Sequence, residues 1–227
     1  SLRLAVTGAA SVPVSLIERM RSDLGFRTVI TGYGLTESTG CVSMCRSDDS
    51  PERIARTCGT PIPGVTVRVV DEAGREVPRG TEGELLVRGY NVMLGYFGDE
   101  AATRSAIDAD GWLHTGDVGV MDERGYFKIV DRKKDMILVS GFNVYPTELE
   151  DVLASMPGVM ECACVGVADA KSGEAVKLVI VKKDPALTEA QVRDFCKANL
   201  TGYKQPRVVE FRSELPKTPV GKILRRE

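Results

Sequence analysis

At 227 residues the chain is long enough to bury a core and to form one or two domains. It is 43% hydrophobic and 27% charged with a formal net charge of −2, the composition of an ordinary globular protein, and it offers no block of positive charge to hold nucleic acid. The single histidine, His114, leaves no Ser-His or Cys-His nucleophilic pair, and no apolar run approaches the length of about 18 residues that a membrane span needs.

The chain lacks an initiator methionine and opens on a strand-like segment, so it reads as a fragment of a longer protein. Residues 2–7 read as a buried strand. Residues 13–24 read as a helix with Pro13 near its start and Leu16, Ile17, Met20 and Leu24 on one face. Residues 27–31 are again strand-like, which makes a βαβ pattern and predicts a mostly parallel sheet. Between about 60 and 130 the signals are those of hairpins: Asp71-Glu72-Ala73-Gly74 and Asp122-Glu123-Arg124-Gly125 each separate two β-rich runs. A small antiparallel barrel or sheet is expected there. After Asp135 a strand (136–139) meets a glycine turn. A helix then opens at Pro146, with Thr147 and Glu150 at capping-box spacing and Leu149, Val152, Leu153 and Met156 as its apolar stripe. Strands near 159–167 and 175–182 follow, then a helix over about 188–200 with Val192, Phe195, Cys196 and Leu200 inward, and a last strand near 207–211.

This pattern predicts two parts of different class, α/β followed by a small α+β domain, with the boundary at Arg132–Asp135. The six cysteines, Cys41, Cys45, Cys58, Cys162, Cys164 and Cys196, lack disulfide or zinc spacing, and most read as buried small hydrophobes in a reducing compartment. The basic doublets Lys133-Lys134 and Arg225-Arg226 read as solvated surface.

Three segments carry chemistry. In 32–38, GYGLTES, two glycines flank Tyr33, so backbone and aromatic face can both approach a flat ligand; Thr36 offers a hydroxyl to a phosphate and Glu37 a carboxylate to Mg²⁺. In 111–146, Asp117 can accept hydrogen bonds from a ribose diol, and Arg132 can reach the same sugar or a phosphate. A charged linker and a glycine turn follow, as at a joint between two domains. In 216–222, PKTPVGK, two prolines and a glycine shape a loop that holds out Lys222, a compact positive charge suited to a phosphorane.

Five motifs, GYGLTES, GELLVRGYNVMLGY, GWLHTGD, DRKKDMILVSGFNVYP and PKTPVGKILRRE, stand in the order typical of adenylate-forming enzymes, the superfamily of acyl-CoA synthetases, peptide-synthetase adenylation domains and firefly luciferase. The second half most resembles bacterial long-chain-fatty-acid–CoA ligases. The first sixty residues resemble actinobacterial relatives acting on steroid-derived acids about as well.

That resemblance implies the end of a large AMP-binding domain (residues 1–133, a βαβ piece plus a small antiparallel barrel) and a small mobile C-terminal domain (134–227). It places Tyr33 on adenine, with Gly34 lining the same pocket, Thr36 at the α-phosphate, Glu37 on Mg²⁺ and Asp117 on the ribose, with Arg132 and Ile129 beside the nucleotide. Lys134 falls at the hinge, Ser140 and Gly141 at the coenzyme A channel, and Lys222 at the position of the adenylation lysine. Gly8, Ala9 and Ala10 match the loop between acyl chain and adenine, where family members often carry two glycines. The family's Ser/Thr/Gly-rich phosphate loop does not occur in this sequence.

The implied substrates are a fatty acid, ATP with Mg²⁺, and coenzyme A, in a cytoplasmic enzyme that a fatty substrate could draw to the inner membrane face. Two alternatives stay open: the same chemistry on a steroid-derived or aryl acid, and a non-catalytic nucleotide- or CoA-binding piece.

Overall fold

A computed structural model describes residues 2–8, 12–218 and 223–225, and in it the chain divides into two units, Ser1–Ile129 and Val130–Glu227. In the first, β1 (Leu4–Gly8) lies parallel to β2 (Thr28–Tyr33), with Leu4 opposite Thr28 and Gly8 opposite Gly32. The helix α1 (Val14–Ser22) connects them, and Pro13, whose ring fixes φ, stands at its start.

The helix buries a narrower stripe than its sequence suggests. Ile17 is fully enclosed, but Leu16 and Leu24, expected on the same face, are 46% and 64% exposed. Leu16 sits about 100° around the helix from Ile17, and Leu24 lies past the last helical residue, Ser22. Ile17 packs instead into a cluster with Val29, Ile30, Cys45 and Ile54.

The sheet continues antiparallel through β3 (Ser43–Met44) to β4 (Thr60–Pro61), with α2 (Pro51–Arg56) between them. A second sheet has the order β5 (Val65–Val70), β6 (Glu82–Gly89), β7 (Leu113–Met121), β8 (Phe127–Arg132). Both expected turns are built by an aspartate: Asp71 Oδ1 accepts from the backbone N–H groups of Ala73 and Arg75, and Asp122 Oδ1 from those of Arg124 and Tyr126. These side chains replace the ladder bonds that the chain loses in turning. Alternation along β5 turns Val65, Val67 and Val69 inward against Leu85, Val87, Leu113 and Phe127. The short helix α3 (Glu100–Ala106) stands between β6 and β7 and is capped by Asp99. Among the described residues this sheet is open, where the resemblance implied a small barrel.

The second unit forms its own sheet, in the order β10 (Phe142–Val144), β9 (Ile137–Val139), β12 (Gly173–Lys182), β11 (Val159–Asp169), with β13 (Val208–Arg212) parallel to β12. Two helices, α4 (Pro146–Ala154) and α5 (Glu189–Asn199), supply the core's other side. Leu149, Leu153, Val192 and Cys196 pack with Ile137, Val144, Cys164, Leu178 and Ile180. The parallel pairing of β12 and β13 requires a crossover, and α5 is that crossover, started by a capping box between Thr188 and Gln191.

The expected capping box at Thr147 and Glu150 does not form. The Thr147 backbone N–H donates to Asp131 Oδ2 at 2.8 Å, while Glu150 accepts from the Cys164 N–H at 2.9 Å. All six cysteines are free, and Cys45, Cys162, Cys164 and Cys196 are buried. Burial pushes the Cys58 and Cys196 thiols up to about 11 and the Cys162 thiol to about 12, which leaves them protonated and unreactive at neutral pH.

Two carboxylates in this unit titrate low. Hydrogen bonds from Lys177 and then Arg212 hold Glu210 at about 2, against an ordinary value of 4.5. Bonds from the Ser172 hydroxyl and backbone hold Asp169 at about 2, against 3.8. The folded state therefore binds fewer protons than the unfolded one between these values. The stabilisation is complete above about 4.5 and is lost as pH falls toward 2. Hydrogen exchange should show β13 losing protection across that window, and Glu210→Gln should flatten the dependence; an unaltered profile in the variant would show that Glu210 has no part in it.

Candidate active site

In an open sheet, ligands gather beyond the carboxyl ends of parallel strands. Here those ends are Gly8 and the segment Gly32-Tyr33, side by side in register. The Tyr33 hydroxyl donates to Asp117 Oδ2 at 2.6 Å, and its ring packs edge-on against Phe127 with centroids 5.6 Å apart. Asp117 is only 6% exposed. Its own N–H donates to Thr115 Oγ1 at 3.1 Å, and that hydroxyl donates to the Leu85 carbonyl at 2.8 Å. Burial, and then the adjacent carboxylate, push the Tyr33 hydroxyl far above the ordinary tyrosine range, so it remains a proton donor. Ile129 packs against the same cluster as Tyr33 and Leu35.

The chain after Tyr33 is tightly specified. A Cβ on Gly34 would lie 2.4 Å from the Gly40 carbonyl carbon and oxygen, so no side chain fits there. Thr36 and Glu37 occupy a single 3₁₀ turn, Thr36–Ser38. The Ser38 hydroxyl accepts from the Leu35 N–H at 3.1 Å and donates to the Leu35 carbonyl at 3.0 Å, which closes the turn. Thr39 Oγ1 donates to the Asn91 carbonyl at 2.8 Å, and Asn91 Nδ2 donates to the Cys41 carbonyl at 2.7 Å. The loop is thus sewn to the end of β6. Thr36 is exposed.

Glu37 Oε1 accepts from the Tyr96 hydroxyl at 2.8 Å, and the Tyr96 N–H donates to Thr103 Oγ1 at 2.8 Å. The bond to Glu37 raises the Tyr96 hydroxyl above its ordinary value. Tyr96 lies within one of the five motifs, but nothing local in the sequence pairs it with Glu37. Among the described residues no cluster of three or more His, Cys, Asp or Glu side chains forms a metal cage. A lone oriented carboxylate suits Mg²⁺, which takes one or two protein oxygens and fills the rest of its octahedron with phosphate and water.

The remaining expected residues fall in the second unit or outside the described residues. Arg132 ends β8, its N–H donating to Asp131 Oδ1 at 2.7 Å, and its side chain is exposed. Lys134 is exposed within the 3₁₀ turn Lys133–Asp135. Ser140 and Gly141 form the two-residue connection from β9 to β10, with φ of 52° and 85°. Both values are left-handed, as a type I′ hairpin turn requires, and the second is what glycine supplies without strain. Ala9, Ala10 and Lys222 lie outside the described residues.

The flanks of Lys222 are held. Lys217 bridges to Ile223, the Leu224 N–H donates to the Pro216 carbonyl at 2.9 Å, and Ile223 packs on Ala163, Val179, Val181 and Leu215. Arg225, expected on a solvated face, is instead drawn in by ion pairs with Glu150 and Asp135.

Two family models match the chain: residues 1–97 that of AMP-binding enzymes, and residues 148–222 that of the AMP-binding enzyme C-terminal domain. A long-chain-fatty-acid–CoA ligase of Escherichia coli O157:H7 is 52% identical over 227 residues, covering 100% of this chain and 40% of that protein. A CoA ligase of Rhodococcus jostii (strain RHA1), named for a methyl-dioxo-octahydroindenyl propanoyl group, is 50% identical over 226 residues, covering 99% and 42%.

ATP-bound MatB from Rhodopseudomonas palustris superposes with a TM-score of 0.85 at 37% identity, covering 97% of this chain and 43% of that one. MenE, the o-succinylbenzoate CoA synthetase of Bacillus subtilis, in complex with the acyl-adenylate OSB-AMP, gives a TM-score of 0.84 at 32% identity, covering 99% and 45%. The chain therefore spans less than half the length of these relatives.

Removing the Tyr33 hydroxyl takes a donor from a buried carboxylate. Tyr33→Phe should lower stability by about 1–3 kcal/mol, read as a shift in the urea midpoint of residues 1–227. An unmoved midpoint would show that the bond makes no net contribution.

Proposed function

This chain belongs to the family of AMP-binding enzymes, and from that premise we propose that the intact protein is an ATP-dependent acid–thiol ligase that joins a fatty acid to coenzyme A through an acyl-adenylate. The observation that carries the reading is the Tyr33–Asp117 pair, an aromatic face and an anchored acceptor at the carboxyl end of two parallel strands. That pairing suits a nucleoside, with the ring against the base and the carboxylate accepting from the ribose diol.

In the first step the fatty carboxylate attacks the α-phosphate of ATP and pyrophosphate leaves. No general base is needed, because a carboxylic acid is already ionised at neutral pH. The barrier is accumulated negative charge, so the expected contributions are electrostatic. Thr36 would donate to the α-phosphate, and the Lys222 ammonium would stabilise the charge of the phosphorane. Glu37, oriented by Tyr96, would hold Mg²⁺, which when bound neutralises charge on the phosphates. Arg132 and Ile129 would border the nucleotide, and Gly8, Ala9 and Ala10 the junction of acyl chain and adenine.

In the second step the coenzyme A thiolate attacks the adenylate carbonyl and AMP leaves. A lysine and a thiol channel cannot occupy one space, so the small domain (134–227) would rotate about Lys134 relative to the large-domain segment (1–133). The rotation withdraws Lys222 and presents Ser140 and Gly141. Substrates and six free cysteines suit a cytoplasmic enzyme. The fatty acid is favoured by the 52% identity to long-chain-fatty-acid–CoA ligases, and a ring-bearing acid by the 50% identity to the indenyl-propanoyl ligase. ATP–pyrophosphate exchange across both classes of acid, using the full-length protein, separates the two. Calorimetry with ATP on residues 1–227 addresses the third reading, a piece that binds without turnover.

Lys222→Ala in the full-length protein should slow adenylation roughly 10²–10³-fold, as losing one preorganised donor does. Thioester formation from preformed adenylate should be spared. Equal loss in both half-reactions would contradict the role given to Lys222.

A further inference from the structure

Just past Lys222 the tail carries one guanidinium, that of Arg225, which contacts three other elements of the second unit. Arg225 Nε donates to Glu150 Oε1 at 2.8 Å and Nη2 to Glu150 Oε2 at 2.6 Å, a two-pronged grip on α4. Nη2 also donates to Thr147 Oγ1 at 3.2 Å, in the first turn of the same helix. Nη1 faces the segment before α4, at 3.5 Å from Asp135 Oδ2 and 3.6 Å from Asp131 Oδ1. The Arg225 side chain is 21% exposed, and those of Asp131, Asp135 and Glu150 are 2%, 13% and 18% exposed.

One cation thus sits among three carboxylates from three elements, β8, the turn Lys133–Asp135 and α4. Without it those carboxylates would repel one another across a poorly hydrated space. The short bonds go to α4, which belongs to the rigid core; the longer ones go to the turn that holds Lys134. Arg225 is therefore gripped closely by α4 and reaches the turn at longer distance.

We propose that Arg225 is a positioning residue for Lys222, fixing the lysine-bearing loop to α4 and coupling it through Asp135 and Asp131 to the segment on which the unit pivots. The inference rests on the reading of Lys222 as the adenylation lysine and Lys134 as the hinge. Arg225 touches no substrate. It holds the chain three residues after Lys222, and Ile223 and the Lys217 bridge supply the other restraints. A positive charge that must meet a developing phosphorane loses much of its effect when displaced by an ångström.

The test uses the full-length protein and both half-reactions, ATP–pyrophosphate exchange for adenylation and acyl-CoA formation from preformed adenylate. Arg225→Met should slow adenylation roughly 10–100-fold and leave the thioester step unchanged. Arg225→Lys should recover part of the loss, since it keeps the charge and forfeits the fork. Asp135→Asn keeps size and the α4 grip, so it should alter the ratio of the half-reactions without moving the melting temperature. Parallel losses in both half-reactions for all three variants, or no loss in any, would overturn the proposal. Should Arg225→Met fail to fold, the Asp135→Asn ratio decides alone. A wild-type protein with neither half-reaction would remove the ligase reading itself, and the proposal with it.

Discussion

A carboxylate that is 6% exposed must be answered by hydrogen-bond donors, and for Asp117 a prominent one is a phenol 84 positions earlier in the chain. A buried unpaired charge would cost several kcal/mol. The site's other geometry follows from satisfying it. The bond ties the end of β2 to β7 and so joins the two sheets of the first unit. It also aligns Tyr33 against Phe127 and sets the direction in which the next residues leave the strand. That exit is where Gly34 meets the Gly40 backbone, and where the turn with Thr36 and Glu37 begins. The residues proposed to face the nucleotide are thus held by a bond that the fold needs anyway.

The second unit meets the same demand with a cation. Asp131 accepts from the Arg132 N–H and from the Thr147 N–H that opens α4, and it lies 3.6 Å from Arg225. A helix start leaves its first N–H groups without intrahelical partners. Here a side chain from β8 supplies one, which removes any need for a capping box. Glu150, released from that task, takes the Cys164 N–H and Arg225. Helix start, strand edge and tail share one set of charges.

Much of this was legible in the residues. The βαβ opening, the two Asp-initiated turns and the glycine connection after Val139 all depend on local rules of period and turn chemistry. The structure shows each of them. What escaped was tertiary. The Thr147 and Glu150 spacing fits a capping box, but the nearest strong acceptor in space is Asp131. Arg225 sits in a basic doublet that looks solvated, yet its partner Glu150 stands 75 positions away. Leu16 fits the helix period but lies outside the stripe that Val29 and Ile54 cover. Tyr96 and Glu37 meet across 59 positions. Spacing along a chain carries no information about such pairs.

The two polar centres also differ in what they can tolerate. Tyr33 and Asp117 pair a neutral donor with a buried acceptor, and the tyrosine's proton is secured by burial and by the charge beside it. This arrangement would suit the proposed nucleoside surface, which has to present one shape to base and sugar throughout the reaction. The Arg225 centre shares one cation unevenly among several carboxylates, with short contacts to α4 and long ones to the turn at Lys133–Asp135. Uneven sharing lets a contact lengthen without stranding the cation, because the remaining carboxylates still answer it. A rigid pair where a ligand would be recognised, and a graded cluster where a segment would turn, is the division of labour that the proposed two-step reaction at one site would require.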